Sequence, residues 1–234
     1  MNKAVRSCAF ATLALLAGCA TTGPPSPADP FEPWNRGMYE VHQVVDGNLI
    51  KPIAQAYVDY TPKPVQQTIR NFFGNIEDMF SAATNLMSGK LDQAGNDMGR
   101  VMVNTLFGIG GLIDVASDGA IPKSDWDFGL TFGSWGIPQG PYLFVPLIGP
   151  TTVRDGTGLA IRGYLGPVGY IPDVPARNVL YVIEGVDLRA QALSAESVID
   201  TAAIDRYRFI RRAYLQHRQY QLYEGKVPPE KEEE

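Results

Sequence analysis

A predominantly α-helical protein is predicted for this chain of 234 residues, on three observations. Apolar residues step by three and four through residues 65–87 and again through 91–106. Convincing strands are few; the best candidate is residues 142–146, where Pro146 bars it from the middle of a sheet. The chain also carries 24 glycines and 18 prolines, well above the roughly 12 % of average usage. Its helices must therefore be short, kinked or re-entrant.

The first element is a leader. Residues 1–18 place Lys3 and Arg6 before an apolar run over 8–17, ending in Leu16-Ala17-Gly18-Cys19. That is a signal peptide with a lipobox, too short to span a bilayer, which needs about 20 apolar residues. Cys19 is the expected lipidation site, and Ala20 stands where an aspartate commonly retains bacterial lipoproteins at the inner membrane. The outer membrane is the expected location. Cys8 leaves with the leader and Cys19 is consumed by lipidation, so no thiol remains for a disulfide, a metal or catalysis.

Residues 19–33 hold Pro24, Pro25, Pro27, Pro30 and Pro33 with few apolar side chains, and read as a partly extended linker. A helical domain follows over 34–223, and a charged tail expected to be disordered closes the chain over 224–234. The net charge of −5 becomes more negative once Lys3 and Arg6 are removed, which argues against nucleic acid as a partner.

Within the domain, helices are predicted over 34–50, 52–60, 65–87, 91–106, 178–193 and 197–223. Pro64 suits the first turn of the third and Gly89 follows its end. Its apolar positions include Val65, Ile69, Phe72, Ile76, Met79, Phe80 and Leu86; those of the fourth run through Ala94, Met98, Val101 and Met102. Such stripes serve either an ordinary core or a lipid surface, and periodicity does not separate the two.

Between the helices lie two glycine-rich elements. In residues 104–117, "NTLFGIGGLIDVAS", Gly108, Gly110 and Gly111 interrupt an apolar run. A phosphate loop would need a basic or hydroxyl residue next, whereas Leu112 and Ile113 follow, leaving a tight helix–helix turn or a membrane-dipping corner. Residues 128–150 intersperse glycines and prolines among aromatic and aliphatic side chains, a composition that makes a loop and not a helix.

Catalytic chemistry is not visible. His42 and His217 are the two histidines, and there is no HExxH, CxxC, GxSxG or SxxK; neither metal nor cofactor is expected. Asp125, Asp127 and Asp155 suit caps or turns better than an acid–base pair. Near the C-terminus Arg206, Arg208, Arg211, Arg212 and Arg218 alternate with aromatic residues. The default reading is a solvated face; contact with lipid headgroups or an acidic carrier is the alternative.

The ordered blocks "DPFEPWNRGMYEVHQVVD", "KPIAQAYVDYTPKPVQQTIRNFFGNI", "RVMVNTLFGIGGLIDVAS" and "DFGLTFGSWGIPQGPYLFVPLIGPTTVRD", with a terminal "RAYLQHR", closely resemble the MlaA (VacJ) family of outer-membrane lipoproteins. The resemblance covers residues 29–223. It implies an all-α, ring-shaped single domain of short, broken amphipathic helices around a central channel, partly embedded in one membrane leaflet. Mislocalised phospholipids would leave the outer leaflet through the channel towards a soluble periplasmic lipid-carrier protein, maintaining lipid asymmetry. An outer-membrane trimeric porin is an implied partner, and the chain is expected not to be an enzyme.

By position, Asn35 and Arg36 belong to the family's N-terminal block, and Gly108, Gly110 and Gly111 to a corner of the ring. The stretch Gly133, Gly136, Pro138 and Gly140 falls on the loop thought to border or gate the channel. Pro138 stands where some relatives place glycine; because proline fixes φ, hinge freedom is expected to rest on Gly136 and Gly140. A scaffold lipoprotein bound to a porin, or a lipid-modifying enzyme, is the alternative reading.

Overall fold

The computed structural model describes residues 29–226. The leader, Cys19, most of the linker and the last eight residues of the tail lie outside the described residues. Asp29, inside the stretch read as linker, is fully buried.

Helix α1 (Glu32–Val45) carries Pro33 in its first turn and runs through a π turn (Asp46–Ile50) into α2 (Lys51–Tyr60). Pro52 has no N–H for the carbonyl four residues back, and the widened turn absorbs the missing bond. Helix α3 (Lys63–Met87) and helix α4 (Leu91–Leu106) form a tight hairpin. Gly89 adopts φ 75° at their junction, and Lys90 N–H bonds back to the Asn85 carbonyl at 2.9 Å. Next come the single turn α5 (Val115–Asp118) and helix α6 (Phe128–Ser134).

Strands β1 (Tyr142–Val145) and β2 (Gly149–Thr152) pair antiparallel, with Tyr142 opposite Thr152 and Val145 opposite Gly149. Helix α7 (Val153–Leu165) leads through a 3-10 turn (Pro167–Tyr170) to α8 (Val174–Ala202) and α9 (Arg206–Leu222). Thr152, Asp173 and Asp205 cap these last three helices, each accepting from a backbone N–H three residues on.

The predominantly α single domain is as expected, and the best strand candidate is β1, while β2 was not read from the sequence. Three local expectations are corrected. Residues 128–134 are helical and not loop, because the Asp127 carboxylate accepts from Leu130 N–H at 2.8 Å and outweighs the composition. Helix α7 was not foreseen, its three glycines masking a good N-cap. The stretch 197–223 is not one helix: α8 ends at Ala202 and α9 restarts behind its Asp205 cap.

The helices close a circuit: α3 packs on α6, α6 on α9, α9 on α8, and α8 back on α3. Apolar burial is modest. Its main cluster is Tyr142, Phe144 and Tyr207, with Met38, Tyr39, Tyr214 and Leu215 around them, which fixes the β-hairpin between α1 and α9.

Polarity is otherwise inverted. Among the described residues, nineteen polar or charged side chains are buried against twelve hydrophobic ones, while thirty-eight large hydrophobic residues are exposed. Scattered exposed apolar residues are ordinary; here they form stripes. On α4 the outward face is Leu91, Met98, Met102 and Leu106, continuing into Phe107 and Ile109, while the inward face is Ala94, Asp97, Arg100 and Asn104. Helix α3 likewise turns Gln66, Asp78, Ser81, Thr84 and Asn85 inward. At roughly half exposure each outward chain forgoes on the order of 1 kcal/mol of burial in water. Contiguous apolar stripes of this extent mark surfaces for contact with lipid or with another protein.

Candidate functional site: a polar cavity inside an apolar shell

Polar inward faces need something polar to enclose, and a cavity of about 320 Å³ lies between α3, α4 and α8. Helix α3 lines it with Gln67, Arg70, Asn71, Asn75, Glu77 and Asp78; α4 adds Arg100 and Asn104; α8 adds Glu184, Asp187, Leu188 and Gln191. Asp114 and Lys123 close one side from the connections around α5.

The wall is held by ion pairs. Arg100 donates to Asp78 Oδ2 at 2.9 Å, to both oxygens of Asp114 at 3.0 Å and to the Ile121 carbonyl at 2.9 Å. Burial opposes the charge on Asp114, but hydrogen bonds from Ser117, Asn104 and Arg100 outweigh it and hold its carboxyl at about 2. Lys123 pairs with Asp78 Oδ1 at 3.3 Å, and Arg70 with Asp187 Oδ1 at 3.4 Å. On the far wall Arg162 of α7 joins Glu77 to Glu184, while burial pushes the Glu77 carboxyl up against the pull of that arginine. Deeper between α3 and α4, Asp97 accepts from Ser81 at 2.7 Å and Asn85 at 2.9 Å.

Among the described residues, two buried acceptors on the cavity wall receive no hydrogen bond: Asn75 Oδ1, and Asp78 Oδ1, whose ion pair with Lys123 at 3.3 Å lacks hydrogen-bond geometry. Such atoms are costly unless water or a ligand donates to them. Among the described residues no group of three or more His, Cys, Asp or Glu side chains is placed to hold a metal ion.

The structure treats the expected site residues unequally. Gly108, Gly110 and Gly111 form the turn after α4: Gly111 N–H bonds to the Asn104 carbonyl at 2.9 Å, and Gly110 and Gly111 have φ 69° and 89°. A Cβ on Gly111 would sit 2.7 Å from Asn75 Nδ2, so glycine lets this turn close on the cavity wall. Asn35 and Arg36 lie elsewhere. Asn35, fully buried, bonds to Asp29, to the Tyr142 carbonyl at 3.0 Å and to Phe144 N–H at 2.9 Å, while Arg36 pairs with Asp205 at 2.7 Å. They tie the chain start and the hairpin to α9.

Gly133, Gly136 and Pro138 line a second cavity of about 250 Å³, bounded by Arg154, Arg218 and Leu222; Gly140 packs near Val153. That cavity shares no lining residue with the larger one. The C-terminal arginines are not simply a solvated face: Arg211 is buried against Asp29 at 2.7 Å, and Arg218 bridges Asp127 at 2.7 Å and Asp155 at 3.0 Å. Arg208 remains largely exposed.

The cavity-lining charges were missed at the sequence level. Their signal was present as the complement of the apolar stripe: Gln66, Arg70, Gly74, Asp78, Ser81 and Asn85 repeat at three and four on α3.

An apolar exterior around a polar cavity defines a class of helical protein whose outer faces suit contact with lipid or with another protein; no helix among the described residues is long and apolar enough to cross a membrane. The chain belongs to the MlaA lipoprotein family, whose profile matches residues 27–221. It is 32% identical over 223 residues to the intermembrane phospholipid transport system lipoprotein MlaA of Escherichia coli, covering 92% of this chain and 88% of that one. The Haemophilus influenzae protein of the same name is 31% identical, covering 93% and 90%. A solved structure from work on the maintenance of bacterial outer membrane lipid asymmetry superposes with TM-score 0.72 at 31% identity, over 83% of this chain and 98% of that one. The family is one of transport lipoproteins and not of enzymes.

Proposed function

We propose that this protein is an outer-membrane lipoprotein that extracts phospholipids from the outer leaflet and so maintains lipid asymmetry. The carrying observation is the inverted polarity: an ion-paired cavity inside a shell of exposed apolar helix faces. The names of its relatives, which tie them to phospholipid transport, support the same reading.

The physical problem is twofold. Each CH₂ brought from hydrocarbon into water costs about 0.8 kcal/mol, so a two-chain lipid does not leave a membrane unaided at a useful rate. A headgroup crossing the roughly 30 Å hydrocarbon core meets a comparable barrier. A polar cavity beside an apolar shell lowers both barriers, with the headgroup among Arg70, Asn71 and Asp187 and the acyl chains against the outward faces.

In the finer form of the proposal, Cys19 carries the lipid anchor, the body lies in the inner leaflet, a trimeric porin holds it there, and a soluble periplasmic carrier receives the lipid. The test is deletion of the gene in its host with measurement of phospholipid exposed at the cell surface. Exposure should rise while porin assembly stays normal, and the wild-type gene should reverse it. Unchanged exposure would overturn the proposal; a rise accompanied by failed porin assembly would favour a scaffold instead.

A further inference from the structure

The charges of the larger cavity carry information about the headgroup it accepts. Five carboxylates and three cations line it, and with Arg162 pairing Glu77 and Glu184 from behind the wall the surplus is one negative charge. Each cation is already engaged: Arg100 by Asp78 and Asp114, Lys123 by Asp78, Arg70 by Asp187. What is left over among the described residues is acceptor capacity: Asn75 Oδ1 receives no hydrogen bond, and Asp78 Oδ1 has the Lys123 ammonium at 3.3 Å but no hydrogen bond of good geometry. Asp78 is buried to 1% exposure, so bulk water does not satisfy it freely. Arg70 and Lys123, with side chains 37% and 41% exposed, have room to meet a phosphate without leaving their carboxylates.

We infer that this cavity selects zwitterionic phospholipids whose headgroup ends in a primary ammonium over purely anionic ones. The phosphate faces Arg70 and Lys123, and the ammonium supplies the donor that Asn75 Oδ1 lacks and a hydrogen bond to Asp78 Oδ1, in a field set by the surplus of carboxylates. An anionic glycerol headgroup presents the same phosphate and some hydroxyl donors, but its net charge is opposed by that field. The inference rests on the transport reading and goes further by naming the lipid class.

The test uses the full-length protein purified in detergent and incubated with mixed micelles containing equal phosphatidylethanolamine and phosphatidylglycerol, with the captured lipids quantified by mass spectrometry. Enrichment of the ethanolamine lipid is expected to be roughly tenfold, the factor that one unit of charge contributes at headgroup distances in a partly buried site. Gln67→Lys adds a cation on an exposed cavity-lining residue whose amide donates to Asn71, and should move the ratio several-fold towards phosphatidylglycerol. Glu184→Gln should move it the same way. Capture at the ratio of the mixture, or a ratio unmoved in a folded Gln67→Lys protein, overturns the selectivity while leaving transport standing. Failure to capture any lipid overturns both.

Discussion

Arg100 Nε donates to Asp78 Oδ2 across 2.9 Å, and the two side chains are 3% and 1% exposed. The pair joins α3 to α4 at the wall of the larger cavity. A well-packed apolar contact would hold two helices at least as firmly, because desolvating both charges offsets much of their attraction. An ionic clamp here also furnishes charges to a polar cavity, which an apolar contact cannot do.

Breaking the clamp on one side only should be severe. Arg100→Met leaves the buried Asp78 with only its longer pair to Lys123 at 3.3 Å and removes the cation from Asp114, and is expected to cost about 3 kcal/mol. Thermal unfolding in detergent measures it, and a loss below about 1 kcal/mol would show that water, and not the ion pair, satisfies those carboxylates.

Two glycines separate close packing from backbone freedom. A Cβ on Gly158 of α7 would stand 2.6 Å from the backbone nitrogen of Gly129 and 3.1 Å from Phe128 Cβ, so α6 and α7 must part to admit it. Gly158→Ala is expected to destabilise by about 2–3 kcal/mol, the scale of core overpacking. Gly136 has φ 85° and open space around its Cβ position; Gly136→Ala should cost about 1 kcal/mol through strain alone. Denaturant midpoints of the two variants give the ranking.

Much of this was legible in the sequence, and the exceptions share a cause. Helices α3 and α4 were found almost to the residue because their apolar stripes are regular, but a stripe does not say whether core or lipid will cover it. The polar side of α4, with Asp97, Arg100 and Asn104 buried, says so only once the partner helix is in place. Helices α6 and α7 were hidden by glycines that serve their mutual approach at Gly129 and Gly158. Gly133, Gly136 and Pro138, expected on a channel-bordering loop, line the smaller cavity, and their pairing there with Arg154 and Arg218 depends on long-range packing.

The pH dependence has a defined sign. The folded carboxyl of Asp114 sits at about 2, below the ordinary value near 3.9 of an unfolded chain. Its stabilisation is therefore complete above about pH 4 and drains away as pH falls towards 2, with a magnitude on the order of 1–2 kcal/mol for a partly exposed group. Asp114→Asn should be less stable than wild type at pH 7, and the gap should close over that acid window. Urea midpoints at stepped pH measure it; a gap constant from pH 7 to pH 2 would contradict the assignment.

The apolar shell and the polar interior can be interrogated together, because both cysteines of the chain precede the described body. A spin label placed through Met102→Cys, on the outward stripe of α4, and another through Gln67→Cys, on the cavity wall, would be compared in reconstituted bilayers for collision with oxygen and with a water-soluble nickel chelate. The Met102 site should be rich in oxygen and poor in nickel, and the Gln67 site the reverse. Equal, water-like nickel access at both sites would contradict a lipid-immersed shell around a polar cavity.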